Sequence, residues 1–164
     1  LLVGLGLNVV NRAAIARVSG LIGRRKRTTE EASRMSVTVG IHEEEGGETV
    51  DGGQTVAEIG LYHELGTSRV PRRSWLADTI DEEQSRIDEA LRRVGREIAA
   101  ARMRPDVAYL QLGEFIVAKI QGRIRRRIPP PLSPSTIAAK GSDVPLIDEG
   151  RLIASIRSRV RESS

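Results

Sequence analysis

Two histidines, His42 and His63, are the only imidazoles in this 164-residue chain, and it contains no cysteine. Disulfides, zinc–thiolate centres and thiol nucleophiles are therefore excluded. His63-Glu64 begins like a zinc-protease helix, but the second His that such a helix needs is Thr67 here. The sequence carries no G-x-S-x-G and no P-loop. Gly4 and Gly6 start a dinucleotide-type glycine pattern that fails at Val9. Glu58 and Glu64 point to different sides of a helix, so they form no acid/base pair, and Glu58 is better placed as a cap. The residue chemistry predicts no catalytic group, no metal site and no cofactor. An enzyme is not expected.

What the sequence does carry is charge in blocks. Arg24-Arg25-Lys26-Arg27, the run from Arg123 through Arg125, Arg126 and Arg127, and the arginines between Arg151 and Arg161 make three basic zones. Glu43, Glu44, Glu45, Glu48, Asp51 and Glu58 make an acidic one. The net charge is only +4, so the two signs are segregated rather than one being absent. Blocks of both signs suit head-to-tail or ring association, in which one face meets its complement. They suit nucleic acid less well, because that partner prefers one continuous basic surface and the basic runs lack interleaved aromatics for base stacking. A basic module acting on DNA is the second reading. In it Arg24, Arg25, Lys26, Arg27, Arg125, Arg126 and Arg127 would meet phosphate, or else an acidic partner.

The elements that position these groups centre on residues 55–76. Thr55-Val-Ala-Glu58 is a capping-box pattern at a helix start. Val56, Ile59, Tyr62 and Leu65 follow at helical spacing and predict an apolar stripe. Gly66 marks the stop, and Pro71 forces residues 67–71 into a loop. Arg72 and Arg73 then stand beside Trp75, the only Trp in the chain.

Ala57 to Leu76, with His63-Glu64-Leu65-Gly66-Thr67 and then Pro71-Arg72-Arg73-Ser74-Trp75-Leu76, resembles a motif of tailed-bacteriophage neck and tail-completion proteins. A second segment, Pro129 to Ile137 and then Pro145-Leu-Ile-Asp148-Glu-Gly150-Arg-Leu152, resembles a PPL…TI…PL(I/V)DTGxL segment of the same group. Glu149 departs from the usual Thr, and Trp75 stands where Phe is commoner. The two segments occur in the expected order. The resemblance implies a structural virion protein for head–tail joining or tail completion. It would form a homo-oligomer, a hexameric ring, that contacts the tail tube or tail terminator and the head connector. It would act in the virion after assembly in the host cytoplasm. Interface candidates carried by the matched motifs are Tyr62, His63, Glu64, Gly66, Thr67, Pro71, Arg73, Trp75, Pro145, Asp148, Gly150 and Leu152, and basic side chains on an inner rim would touch genomic DNA non-specifically. For Glu64, Gly66, Thr67, Arg73 and Trp75, a purely fold-building role, ending a helix and packing it, is at least an equal expectation.

Periodicity supplies the remaining architecture. Val9 to Ile22 supports a helix, so residues 1–34 are expected to form an N-terminal helical arm, with a compact domain over 35–164. Leu1 to Ile22 is interrupted by Asn8, Asn11, Arg12 and Arg17, which fits neither a membrane span of roughly 20 apolar residues nor a signal peptide. Met35 to Ile41 alternates as a one-sided strand. Residues 43–54 are acidic and rich in glycine, and are expected to be a mobile loop or the tip of a long hairpin. A long helix is predicted from a cap at Asp78 or Thr79 to about Met103, closed by Pro105. A second should run from Asp106 with Tyr109, Leu112, Ile116, Ile120 and Ile124 on its buried face. Ser133-Pro134 should start a short helix, and Asp148 should cap a turn through Leu152. Residues 155–161 fit two readings, since Ile156, Ser158 and Val160 alternate with arginines as in an edge strand while Leu152, Ile156 and Val160 also suit a helix; the strand, paired with Met35 to Ile41, is the favoured one. With only 2% aromatic residues, the core must be aliphatic. The expected class is α+β, a small antiparallel sheet against several helices.

Overall fold

The computed structural model describes residues 26–49, 53–141 and 150–162. In order these form α1 (Lys26–Ser33), β1 (Met35–Ile41), α2 (Glu43–Gly46), α3 (Val56–Leu65), α4 (Ala77–Ala99), α5 (Pro105–Arg125), α6 (Pro134–Lys140), α7 (Arg151–Ser155) and β2 (Ile156–Glu162). The two strands pair antiparallel, so the fold is α+β. The N-terminal helix expected over 9–22 lies outside the described residues, as do Arg24, Arg25, Pro145 and Asp148. No helix among the described residues is long and apolar enough to cross a membrane.

The chain divides into two compact units. One contains Gly40–Glu83 and Val117–Arg157; the other contains Gln84–Ile116 with the described residues up to Val39 and from Ser158 onward. The core of the first is built from Val56, Trp75, Leu76, Ile80, Val117, Ile120, Ile124, Ile128, Leu152 and Ile156. Each fully buried aliphatic side chain contributes about 1.5–3 kcal/mol. Ion pairs fix the start of α4 against the end of α5. Lys119 meets Glu83 at 3.1 Å, and Arg123 meets Asp78 at 3.4 Å and also pairs with Glu82. The rising numbers on one helix meet falling numbers on the other, as antiparallel packing requires.

In the second unit, Val37 and Val39 of β1 are buried with Ile87, Val94, Ile98, Tyr109, Leu112 and Ile116. Gly113 permits a close approach here. A Cβ at that position would lie 2.5 Å from the Cβ of Ser158 and 2.8 Å from a methyl of Val37. The Tyr109 hydroxyl donates to the carbonyl of Ala32 at 3.2 Å, tying α1 to α5. Thr38 Oγ1 donates to the carbonyl of Arg159 on the facing strand at 3.5 Å.

Several boundaries differ from the sequence reading. Helix α4 starts at Ala77, ahead of the expected caps Asp78 and Thr79, and ends at Ala99 rather than near Met103. Ala101 takes a positive φ of 52° just past that end. Pro105 does not close α4, which ends six residues earlier; it is the first residue of α5, where its missing N–H costs nothing. Residues 43–54 are not irregular throughout, since Glu43–Gly46 form a helical turn and Thr49 bridges Thr55. Helix α7 has Gly150, at φ 72°, in its N-cap position and no side-chain cap. Ser133 does cap α6, accepting from the Thr136 N–H at 3.2 Å.

Candidate functional site

Helix α3 opens on the expected capping box. The Glu58 N–H donates to Thr55 Oγ1 at 3.2 Å, and the Thr55 N–H donates to Glu58 Oε2 at 2.8 Å. That backbone donor, with the Thr55 hydroxyl, holds the Glu58 carboxyl below its ordinary range. The buried side of the helix is not the expected stripe. Val56, Gly60 and Glu64 face inward, four residues apart, while Leu65 is 62% exposed. Gly60 explains the rotation. Its missing side chain admits Ile41 and Leu152, whose methyls would lie 2.9 and 3.1 Å from an added Cβ. It also leaves its carbonyl open to the Trp75 indole N–H, which donates to it at 2.9 Å.

Glu64 is 3% exposed, and its carboxylate is surrounded by donors. Oε1 accepts from the Ser74 hydroxyl at 2.7 Å and the Ala77 N–H at 3.0 Å. Oε2 accepts from the N–H groups of Trp75 and Leu76, both at 2.9 Å. Ser74 Oγ in turn accepts from the Asp78 N–H at 3.1 Å. The free donors at the start of α4 are thus satisfied by Glu64 and Ser74, and the negative charge sits at the positive end of a 23-residue helix. A buried carboxylate is tolerated only with such a full set of partners.

Between these anchors, residues 66–73 form a closed loop. Gly66, at φ 77°, donates to the Tyr62 carbonyl at 2.8 Å, and an added Cβ would meet the Arg72 backbone N at 3.1 Å. Thr67 closes the turn three ways. Its N–H donates to the Val70 carbonyl at 2.8 Å, and its hydroxyl accepts from the N–H groups of Arg69 and Val70 at 3.2 and 2.9 Å. The Arg73 N–H donates to the His63 carbonyl at 2.7 Å.

Arg73 is 4% exposed, and its guanidinium donates to the carbonyls of Pro130 and Pro131 at 2.8 and 3.3 Å. Burial pulls its pKa down, yet a guanidinium stays charged in proteins. Arg72 remains outside and pairs with Asp78 at 2.7 Å. The exposed residues of the loop are Thr67, Ser68, Arg69, Pro71 and Arg72, and Leu65 is exposed just before it at the end of α3.

The structure therefore brings Tyr62, His63, Glu64, Gly66, Thr67, Arg73 and Trp75 into one hydrogen-bonded corner. Leu152 is 5% exposed and packs on it through Gly60, with Gly150 at the start of the same short helix. Pro71 lies on the exposed side of the loop. Lys26 and Arg27 open α1, away in sequence from this corner. Arg125, Arg126 and Arg127 are exposed just beyond the last turns of α5 that it holds. Arg123, at the head of that basic run, is instead turned inward and donates to the Ser74 carbonyl at 3.1 Å. Ser74, Gly60 and Arg123 are the members that sequence reasoning missed. Only the Ser immediately before Trp75 and a helix start gave any signal. The Ser74 hydroxyl that meets the Glu64 carboxylate is buried and already accepts from the Asp78 N–H, and no group of three or more His, Asp or Glu among the described residues could hold a metal ion. What it can do is keep one loop rigid and present its outer side chains.

Comparison of the chain with protein-family models, with curated proteins and with solved structures finds no match in any of the three.

Proposed function

We propose that the protein is a structural subunit of a tailed-bacteriophage neck, assembling as a ring that completes the tail or joins it to the head connector. The single observation that carries this reading is the meeting of the two segments that resemble the tail-completion group. They lie more than fifty residues apart in sequence, yet Arg73 of the first bonds to Pro130 and Pro131 of the second at 2.8 and 3.3 Å. Leu152 of the second packs where Gly60 of the first leaves room. Two motifs that act as one interlocked corner support a shared origin with that group more strongly than either does alone.

The role follows from the physics of the corner. A loop fixed at both ends and across its middle loses little entropy when it docks, so its exposed residues bind a neighbour at low ordering cost. The proposed work is mechanical: no bond is made or broken, and the protein acts by fitting between identical copies and adjoining virion parts. Arg125 and Arg126, exposed at the end of α5, would serve such contacts or line a DNA passage without reading sequence. The test is the assembly state of the purified full chain by light scattering coupled to size-exclusion chromatography. A closed oligomer larger than a dimer is expected. A chain that stays monomeric up to high concentration, and binds duplex DNA with a steep salt dependence, would favour the basic nucleic-acid module instead.

A further inference from the structure

We infer that copies of this chain associate head to tail, the basic end of α3 in one copy meeting the acidic end of α3 in the next. This rests on the ring-subunit reading and names the surfaces that would build the ring.

The acidic end is defined by α2 and the turn after it. Gly46 lies against Ala57, whose Cβ would be 2.9 Å from a Cβ at that glycine, and the Glu48 carbonyl accepts from the Val56 N–H at 3.0 Å. Glu44, Glu45 and Glu48 are therefore gathered at the N-terminal end of α3. Glu44 is exposed, Glu45 half-buried, and the Glu48 side chain 63% exposed while pairing with Arg151 at 3.8 Å. Glu58 is held in the capping box and is left out of this surface.

The basic end lies at the other terminus of the same helix. Arg69 is exposed on the closed turn after Leu65. Arg73 ties that loop to Pro130 and Pro131, and Arg123 ties the end of α5 to the Ser74 carbonyl. Arg125 and Arg126, two and three residues beyond Arg123, are exposed at this same end. Leu65, the most exposed large apolar side chain among the described residues, stands within it.

Helix α3 has 10 residues, so it separates the two ends by about 15 Å at 1.5 Å per residue. That exceeds the screening length of about 8–10 Å in physiological salt, so the two ends neutralise each other poorly within one copy. Between copies they can come into contact. A surface that meets a different surface on its neighbour forms a heterologous contact, which closes into a ring or extends as a filament. The exposed Leu65 adds an apolar centre to an otherwise charged contact.

The experiment uses the full chain and two charge-reversed versions of it. One carries Glu44→Lys, Glu45→Lys and Glu48→Lys; the other carries Arg69→Glu, Arg125→Glu and Arg126→Glu. Thermal melting by circular dichroism first establishes that each folds like the wild type. If the basic-end version melts early, Arg69→Glu alone on the closed turn replaces it. Wild type should form oligomers larger than a dimer, weakened at least tenfold when salt rises into the range that screens surface charge. Each version alone should be monomeric, and an equal mixture should restore oligomers larger than a dimer, because the reversed ends of the two versions complement each other as the native ends do. Wild-type-like rings from either version would overturn the assigned contact while leaving the ring reading intact. A wild type that stops at a dimer would overturn head-to-tail association, and a wild type that stays monomeric would overturn both. Loss of duplex-DNA binding in the basic-end version, with association unchanged, would also overturn the contact.

Discussion

The Glu64 carboxylate and the Ala77 backbone N–H lie 3.0 Å apart, so the penultimate residue of α3 caps the first turn of α4 across the intervening loop. The same carboxylate accepts from Ser74, Trp75 and Leu76. Glu64→Gln keeps the shape but replaces one acceptor oxygen by a donor. Two of the four donors then face an NH₂ group. The expected cost is about 2–4 kcal/mol by chemical denaturation, with Glu64→Ala costing about 3–5 kcal/mol. A Gln variant as stable as wild type would show that the cap does not hold the corner together.

Trp75 offers a second, separable test. Its indole N–H donates to the Gly60 carbonyl at 2.9 Å and its ring is 4% exposed. Trp75→Phe removes the donor and part of the ring, at an expected cost of about 1–2 kcal/mol. Trp75→Ala also empties the site and should cost about 3–5 kcal/mol. Wild-type melting together with wild-type assembly in the Ala variant would contradict both the packing role and any contact role.

Close approach at two glycines gives a third. Gly60→Ala brings a methyl against Ile41 and Leu152, and Gly113→Ala brings one against Ser158 and Val37. Each should destabilise by about 1–3 kcal/mol through overpacking. Gly95→Ala, where nothing lies within 4 Å of the added Cβ, should be neutral or stabilising by up to about 1 kcal/mol. Equal stability of all three variants would show that the helices do not pack this closely.

These contrasts explain what was legible beforehand. The buried face of α5 was readable because Tyr109, Leu112, Ile116, Ile120 and Ile124 announce it with large apolar groups, and all five are buried. The strand Ile156–Glu162, paired with Met35–Ile41, bears out the favoured of two readings, because Leu152, Ile156 and Val160 also stand at helical spacing. The face of α3 was not, because a glycine and a carboxylate carry no apolar signal. Gly60 packs by lacking a side chain, and Glu64 acts on residues ten to thirteen positions later. The start of α4 was misplaced for the same reason, its cap being distant while Asp78 and Thr79 offered a local imitation. Thr79 in fact donates to the Trp75 carbonyl at 2.6 Å. Arg123 and Arg125 are both arginines near the end of α5, but successive helical residues point about 100° apart. One arginine turns inward while its neighbours stay outside.

Acid should weaken the fold through its paired carboxylates. The hydrogen bond from Arg72 holds Asp78 below its ordinary value of 3.8, and the backbone N–H of Thr55 holds Glu58 below 4.5. Arg102 does the same for Glu97. A carboxyl with a lower pKa folded than unfolded stabilises the fold above its unfolded value, and that contribution is lost as pH falls through the folded one. The unfolding free energy should therefore decline on acidification from about pH 4.5 downward. Asp78→Asn should flatten part of that decline. A slope unchanged by Asp78→Asn would show that the Arg72 pair is immaterial to folding.

The central claim, that the chain is a ring-forming part of a phage neck, is tested most directly by its copy number and position in purified particles. Quantitative mass spectrometry combined with antibody labelling in electron micrographs measures both. The account predicts a fixed, small number of copies per particle, sixfold if the resemblance carries over, with label at the junction of head and tail. Complete, infectious particles that lack the chain, or label spread over the capsid or tail length, would contradict it.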